Sequence, residues 1–256
     1  MSKKTNETLI KNGKRLDGRK LTDLRPLKME VGVLSRADGS AFVEHGRNKV
    51  LAAVYGPREI HPRHLAIPDR SRLRVMYRMA SFSVDERKHP APSRREIELS
   101  KVITEAITPS LFLEHFPRTG IDVYVLVIQA DGGTRTASIN AAVLALADAG
   151  LPMRDLVVAC AVGKIDGKVA LDLDNIEDQK GEADLPIAMM SRQKLITLIQ
   201  MDGSMSAKEI EQAFKMFQDG AKKISETQRN ALKAKFSHVR EDVLKRSSEN
   251  AKEEKK

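Results

Sequence analysis

Tryptophan is absent, aromatic residues make up 4% of the chain, and a single cysteine occurs in 256 residues. Each scarcity excludes something. A lone thiol forms no internal disulfide, and Cys160 lies inside the apolar run LVVACAVG, where core packing in a reducing compartment accounts for it. A plain RNA-binding module would show interleaved stacking aromatics, in which this chain is poor. No apolar segment approaches about 18 residues, and 1–20 are polar and charged, so neither a membrane span nor a signal peptide is visible. The expectation is a cytoplasmic protein with no membrane partner. HExxH, GxSxG, CxxC, GxGxxG and the GK[ST] ending of a Walker A loop are also missing, which argues against covalent catalysis.

What is present is charge and a real core. Hydrophobic residues make up 41%, and 44 Lys and Arg against 35 Asp and Glu give a net charge of +9, which favours a polyanionic partner without deciding it. The chain is organised around Gln129–Ala142, QADGGTRTASINAA. Ile121–Ala130 reads as a strand covered on both faces. Asp131-Gly132-Gly133 turns the chain, and Ile139–Ala149 reads as a helix of small and aliphatic residues. Thr134 is the expected N-cap. Arg135 then sits in the first turn, where the helix dipole favours an anion over a cation. With Ser138 on the face of Thr134, two hydroxyls, free amides and a guanidinium can converge on one phosphate. An ordinary capped helix with a solvated arginine fits that stretch about as well.

The rest of the chain can be taken in order. Residues 1–14 read as a flexible basic leader, 15–245 as a single domain and 246–256 as a charged, disordered tail. Lys28–Val33, Ala41–Glu44 and Lys49–Tyr55 read as three antiparallel strands joined by turn residues. Gly56–Ser71, with three prolines, reads as a long functional loop. Arg72–Val84 reads as a strand with Leu73, Val75, Tyr77 and Met79 on one side and Arg72, Arg74 and Arg78 on the other. Arg58–Arg95 holds ten Lys and Arg against four Asp and Glu, so the excess charge is concentrated there. Ser93 and Glu96 form a capping box for a helix carrying Ile97, Ile103, Ala106, Ile107 and Leu111, which places Arg94 and Arg95 in its first turn. Asp155–Gly163 and Lys168–Asp172 read as a hairpin. Leu171–Pro186 then holds six acidic residues against Lys180 alone. A solvated loop is one reading. The sharper one is a metal or proton-handling site at Asp178 and Asp184, with Gly181 letting the segment fold back. Ile187–Met190 and Leu195–Met201 read as further strands, and Ile210, Ala213, Phe214, Phe217, Ala221, Ile224, Leu232, Phe236 and Val239 mark a long C-terminal amphipathic helix from Ser206.

RLDGR with LRP, YGPRE, PSRREIELS, ADGGTRTAS and EDQKGEADLP followed by IAMM together resemble the RNase PH family, from about Arg15 to about Phe236. HPRHLAIPDR, DERKHPAPSRREIELSKVI and PMRDL with AVGKIDG most resemble the catalytic subunit of the archaeal exosome, while GGTRTAS is closer to the phosphate motif of the bacterial enzyme. The resemblance implies an α+β RNase PH fold, with the βαβα topology of ribosomal protein S5 domain 2 and mixed sheets packed with helices. It implies phosphate-dependent 3′-to-5′ degradation of single-stranded RNA with release of nucleoside diphosphates, and a reverse tailing activity. The implied setting is a hexameric ring, a trimer of heterodimers with an inactive sister subunit, under RNA-binding cap proteins; the alternative is a homohexamer that trims tRNA 3′ ends. By the same resemblance, Gly133, Thr134, Arg135 and Ser138 hold inorganic phosphate, the co-substrate. Arg58, Arg63, His64, Arg94 and Arg95 meet RNA, and Asp178 and Asp184 handle the proton and a Mg2+ ion.

Overall fold

The computed structural model describes residues 8–11 and 13–253, with side chains through 237. Its elements run β1 Ile10–Lys11, β2 Lys14–Arg15, β3 Leu27–Val31, β4 Gly39–His45, β5 Asn48–Glu59, β6 Arg72–Met79, α1 Arg94–Ile107, β7 Thr119–Gln129 and α2 Thr134–Asp148. There follow β8 Val157–Ile165, β9 Lys168–Leu171, α3 Asn175–Lys180, β10 Ala183–Met190, β11 Ile196–Ile199, β12 Asp202–Gly203 and α4 Ala207–Glu253. Among the described residues no helix is long and apolar enough to cross a membrane.

The two main sheets are held together by α2. The first has the order β3-β4-β5-β7-β6, antiparallel except for the parallel β6–β7 pair that α1 connects; the second has β11-β10-β8-β9, with β12 on β10. Helix α2 packs against both. Its Ala137, Ile139 and every residue of 141–146 are fully buried, because alanines let the backbone approach a sheet on either side. Gly39 shows how close that approach is: a Cβ there would stand 2.3 Å from the Ala145 carbonyl oxygen. Helix α4 covers β3, β8 and β9.

The expected meander, the Ser93–Glu96 capping box and the β8–β9 hairpin are all present. Several expectations are corrected. β7 is covered on one face only, and Tyr124 and Leu126 are exposed on the other. The apolar run hides this because both faces are aliphatic while only the inner one meets α2. The long loop is shorter than expected, since β5 continues to Glu59 and Arg63–Leu65 forms a 3-10 turn. The basic strand ends at Met79. Ile97 and Phe236 are exposed and leave the helical stripes, and the side chain of Val239 lies outside the described residues. Of the leader, 1–7 and 12 lie outside the described residues. Leu9, however, is buried, and the Leu9 and Ile10 amides donate to Asp166 at 2.6 and 2.8 Å. Helix α4 runs into the stretch read as a tail, of which 254–256 lie outside the described residues.

A buried ionic network then locks the two halves together. Arg25, from the LRP segment, grips Asp172 through Nε at 3.1 Å and Nη2 at 2.7 Å, and the His45 ring meets the same carboxylate at 3.0 Å. Arg15, from RLDGR, donates to Glu177 at 2.7 Å and to the carbonyls of Leu171 and Asp172 at 2.6 and 2.7 Å. All five side chains are buried. Burial alone would raise the Asp172 carboxyl, but His45 and Arg25 outweigh it and hold the group well below its ordinary 3.8. An uncompensated buried charge costs about 3–5 kcal/mol. Asp172→Asn is therefore expected to lower unfolding stability by about that amount at neutral pH, read from the urea midpoint. The native carboxylate binds fewer protons than the unfolded one, so wild-type stability falls as pH drops below 3.8. The variant should lose that part of the acid dependence; an unchanged midpoint and acid limb would refute the lock.

Candidate active site

A cleft of about 420 Å³ lies where the start of α2, the first turn of α1, the loop after β6, α3 and β10 meet; Gly133, Thr134, Arg135, Arg95, Asp178 and Asp184 all line it. The turn entering α2 sets its floor. Gly132 and Gly133 have φ of 67° and 66°, the left-handed region that glycine alone enters freely. A Cβ on Gly132 would come within 2.6 Å of the Asn175 nitrogen, so the glycine lets the turn touch the start of α3. Asn48 pins the turn from the β4–β5 corner, accepting from the Asp131 amide at 2.6 Å, and Arg25 donates to the carbonyl of Asp131.

Thr134 is not the N-cap. Gly133 occupies that position, no side chain caps α2, and no acidic residue stands in its first turn. The first amides are left for an anion, with Arg135 beside them. The Thr134 hydroxyl instead accepts from the phenol of buried Tyr77 at 3.1 Å. Burial raises the Tyr77 pKa above 10, so it remains a donor. Sequence reasoning placed Tyr77 on the core side of its strand, and nothing in the pattern marks its reach to Thr134. The Nε of Arg135 is buried without a partner. Ser138 is fully buried, its hydroxyl also unpartnered, and it does not line the cleft.

The structure sorts the six acids of the Leu171–Pro186 segment. Asp172 and Glu177 are taken by arginines, Asp174 caps α3 by accepting from the Glu177 amide at 2.9 Å, and Glu182 pairs with Lys164 at 3.1 Å. Asp178 and Asp184 alone of the six line the cleft. Gly181 folds the segment back in extended geometry rather than a left-handed one, and a Cβ there would stand 2.5 Å from the Glu177 carbonyl oxygen. Burial raises Asp178, against the pull of Arg95 and Arg135. Burial, reinforced by the Asp178 charge, pushes Asp184 up to about 6, and its Oδ1 is buried without a partner. Asp202, unmarked in the sequence reading, pairs with Asp184 across β10–β12 and adds negative charge. Lys88 also lines the cleft and is held by Glu96 at 3.0 Å.

The other candidates lie apart. Arg94 is exposed on the first turn of α1, outside the cleft lining. Arg58 lines a separate groove with His61, Arg72 and Arg74, pairs with Asp38 at 3.1 Å and lies over the Tyr55 ring at 5.6 Å. Arg63 is exposed and pairs with Glu59 at 3.0 Å, and His64 is exposed beside it.

Residues 23–152 match the RNase PH 3′ exoribonuclease family, domain 1, and residues 155–219 match domain 2 of the same family. The chain is 60% identical over 232 residues to the exosome complex component Rrp41 of Thermococcus onnurineus, covering 91% of this chain and 93% of the relative. It is 56% identical over 236 residues to the component of that name from Methanopyrus kandleri, covering 92% and 99%. Among solved structures, rice Rrp46 superposes with a TM-score of 0.76 at 27% identity, over 85% of this chain and 100% of the other. The Archaeoglobus fulgidus exosome with RNA bound to the active site superposes at 0.74 over 84% and 92%, and at 23% identity speaks for the fold alone. With both domains matched in order and 60% identity over 91% of its length, the chain belongs to the RNase PH family of 3′ exoribonucleases.

Proposed function

We propose that this chain is the catalytic subunit of an RNA-degrading exosome ring, acting on single-stranded RNA from the 3′ end with inorganic phosphate as nucleophile. One observation carries the chemistry: an uncapped helix start bearing Arg135 faces two carboxylates, Asp178 and Asp184, across a single cleft. A phosphate dianion attacking a phosphodiester brings like charges together, so the barrier is largely electrostatic and positional. Gly133, Thr134 and Arg135 hold the phosphate over the first amides of α2, with Ser138 behind them and Tyr77 fixing the Thr134 hydroxyl. Arg95, with Arg94 beside it, binds the RNA backbone at the cleft, while Arg58, Arg63 and His64 meet the strand on its way in. An oxygen of the phosphate bonds to the phosphorus of the last nucleotide, the bond to the preceding 3′ oxygen breaks, and a nucleoside diphosphate departs. Asp184 assists protonation of the departing oxygen, directly or through a metal that it would hold.

The residues also fit magnesium. Among the described residues no group of three His, Cys, Asp or Glu could hold a metal alone, but Mg2+ commonly takes one or two carboxylates and completes its shell with water and substrate phosphates. The unpartnered Oδ1 of Asp184 is a free ligand for it. Asp178 and Asp184 would hold the ion, whose contribution is to neutralise charge on the departing oxygen. The relatives' name, exosome complex component, supports membership of an exosome over a homohexamer trimming tRNA; the ring shared with an inactive sister subunit, the RNA-binding cap and the cytoplasmic setting belong to the same proposal. The sharing of α2 by both sheets supports treating 15–245 as one domain.

Arg135→Ala should reduce phosphate-dependent decay at least 100-fold, on the order seen when an electrostatic contact to the transition state is lost, and leave the ring intact in native mass spectra. Near-normal diphosphate release would end the assignment. Phosphate removal should stop decay, and excess nucleoside diphosphate should lengthen RNA 3′ ends; monophosphates released in phosphate-free buffer would mean hydrolysis.

Asp184→Asn separates chemistry from stability. Because the folded carboxyl is raised from 3.8 to about 6, the native state binds the extra proton, and wild-type stability declines as pH rises through that window. The ionised group costs up to about 3 kcal/mol above it. The variant should therefore melt higher than wild type at neutral pH in phosphate- and metal-free buffer, the gap closing toward pH 4. It should lose orders of magnitude in rate with RNA affinity retained. A variant that degrades RNA at the parent rate removes Asp184 from the chemistry.

A further inference from the structure

Among the described residues Phe82 is the most exposed of the large hydrophobic side chains, at 76%, in a chain with few aromatics. It is not on a loose loop. The Ala80–Ser83 turn closes through the Ser83 amide to the Ala80 carbonyl at 2.9 Å. On one side the Ala80 amide donates to Val127, and on the other the Ala130 amide donates to Ser83, each at 2.9 Å. Both anchors lie on the strand that delivers the Asp131-Gly132-Gly133 turn, and the Lys88 amide reaches back to Ser81 at 3.0 Å. The backbone thus presents the ring to solvent at a fixed place.

That place is the rim of the cleft. Val84, Asp85 and Lys88 of the same segment line it, and two residues of chain span at most about 7 Å. Arg95 and Lys88 supply cations on the cleft wall. Of the flanking residues, Ser81, Ser83, Asp85, Glu86 and Arg87 are polar or charged, and the exposed apolar neighbour in the segment, Val84, lines the cleft itself, so the apolar surface about Phe82 is small and continuous with the cleft rather than with a protein-protein contact. A rigid, solitary ring beside an anion-binding cleft has the chemistry of a base-stacking platform, which serves any base because every base has a π face.

We propose that Phe82 stacks on a base of the 3′-terminal segment of the RNA, holding the strand by a base while the arginines hold its phosphates. This rests on the exoribonuclease reading above. The test uses the assembled ring and a short single-stranded RNA, either intact or with one of its last few nucleotides made abasic. Binding is measured in phosphate-free buffer and single-turnover decay with phosphate. Phe82→Ala should weaken binding roughly 5- to 100-fold. Removing the stacked base should weaken the parent by a similar factor and the variant by none. Phe82→Tyr should retain affinity, Phe82→Leu should not, and the phosphate KM should stay at the parent value in all three. The proposal is overturned if Leu serves as well as Phe, if every abasic penalty is the same in parent and Phe82→Ala, or if Phe82→Ala breaks the ring while surviving rings bind RNA normally, which would make the residue a subunit contact. A parent ring that binds RNA with the abasic penalty but shows no phosphate-dependent decay overturns the enzymatic reading and leaves the stacking result standing.

Discussion

The buried contact between Arg25 and Asp172 is the constraint on which the rest depends. Arg25 belongs to neither sheet's interior, yet its guanidinium reaches Asp172 at the end of β9 and the carbonyl of Asp131 at the glycine turn. A glycine-glycine turn is intrinsically permissive, and without outside contacts it would sample many shapes. Arg25, Asn48 and the start of α3 remove that freedom. Because α3 is itself held by Arg15 through Glu177, one network sets both the uncapped start of α2 and the helix that carries Asp178. Buried ion pairs are not dependable sources of net stability, since desolvation offsets much of the attraction. Here the arrangement has a clearer purpose: it fixes the relative position of two charged surfaces of opposite sign.

Those surfaces illustrate how a site can oppose the fold that holds it. An arginine at an uncapped helix start, a carboxylate with a buried, unpartnered oxygen and a second acid beside it are each unfavourable taken alone. Bound anion and metal would satisfy them together. The surrounding core, with α2 enclosed between two sheets, supplies the stability that tolerates this strain.

Much of this was legible in the chain. The β3–β5 meander, the capping box at Ser93, the glycine turn and the long C-terminal helix follow from local chemistry, and local chemistry is what a sequence displays. Arg94 and Arg95 fall in the first turn of α1 because Ser93 sets the register. What could not be read is which carboxylates are free. In the string of six acids nothing separates Asp172 from Asp184; the difference is made by Arg15 and Arg25, which are distant in the chain. The outer face of β7 misled for a related reason, since an aliphatic run records composition and not what covers it. Tyr77 looked like core and is core, but its hydroxyl serves Thr134.

The ionic lock also bears on how the protein comes into being. Arg15 meets Glu177 across 162 positions and Arg25 meets Asp172 across 147, so these contacts close very large loops. While the chain emerges from the ribosome, the first sheet can pair and display its basic residues, and Asn48 can already reach the glycine turn, but the Arg25–Asp172 pair and the contact with α3 are missing until the acidic segment has been synthesised. A nascent or truncated chain is therefore equipped to attract polyanions before it can process them, and the capacity for chemistry arrives only with the last third of the polypeptide.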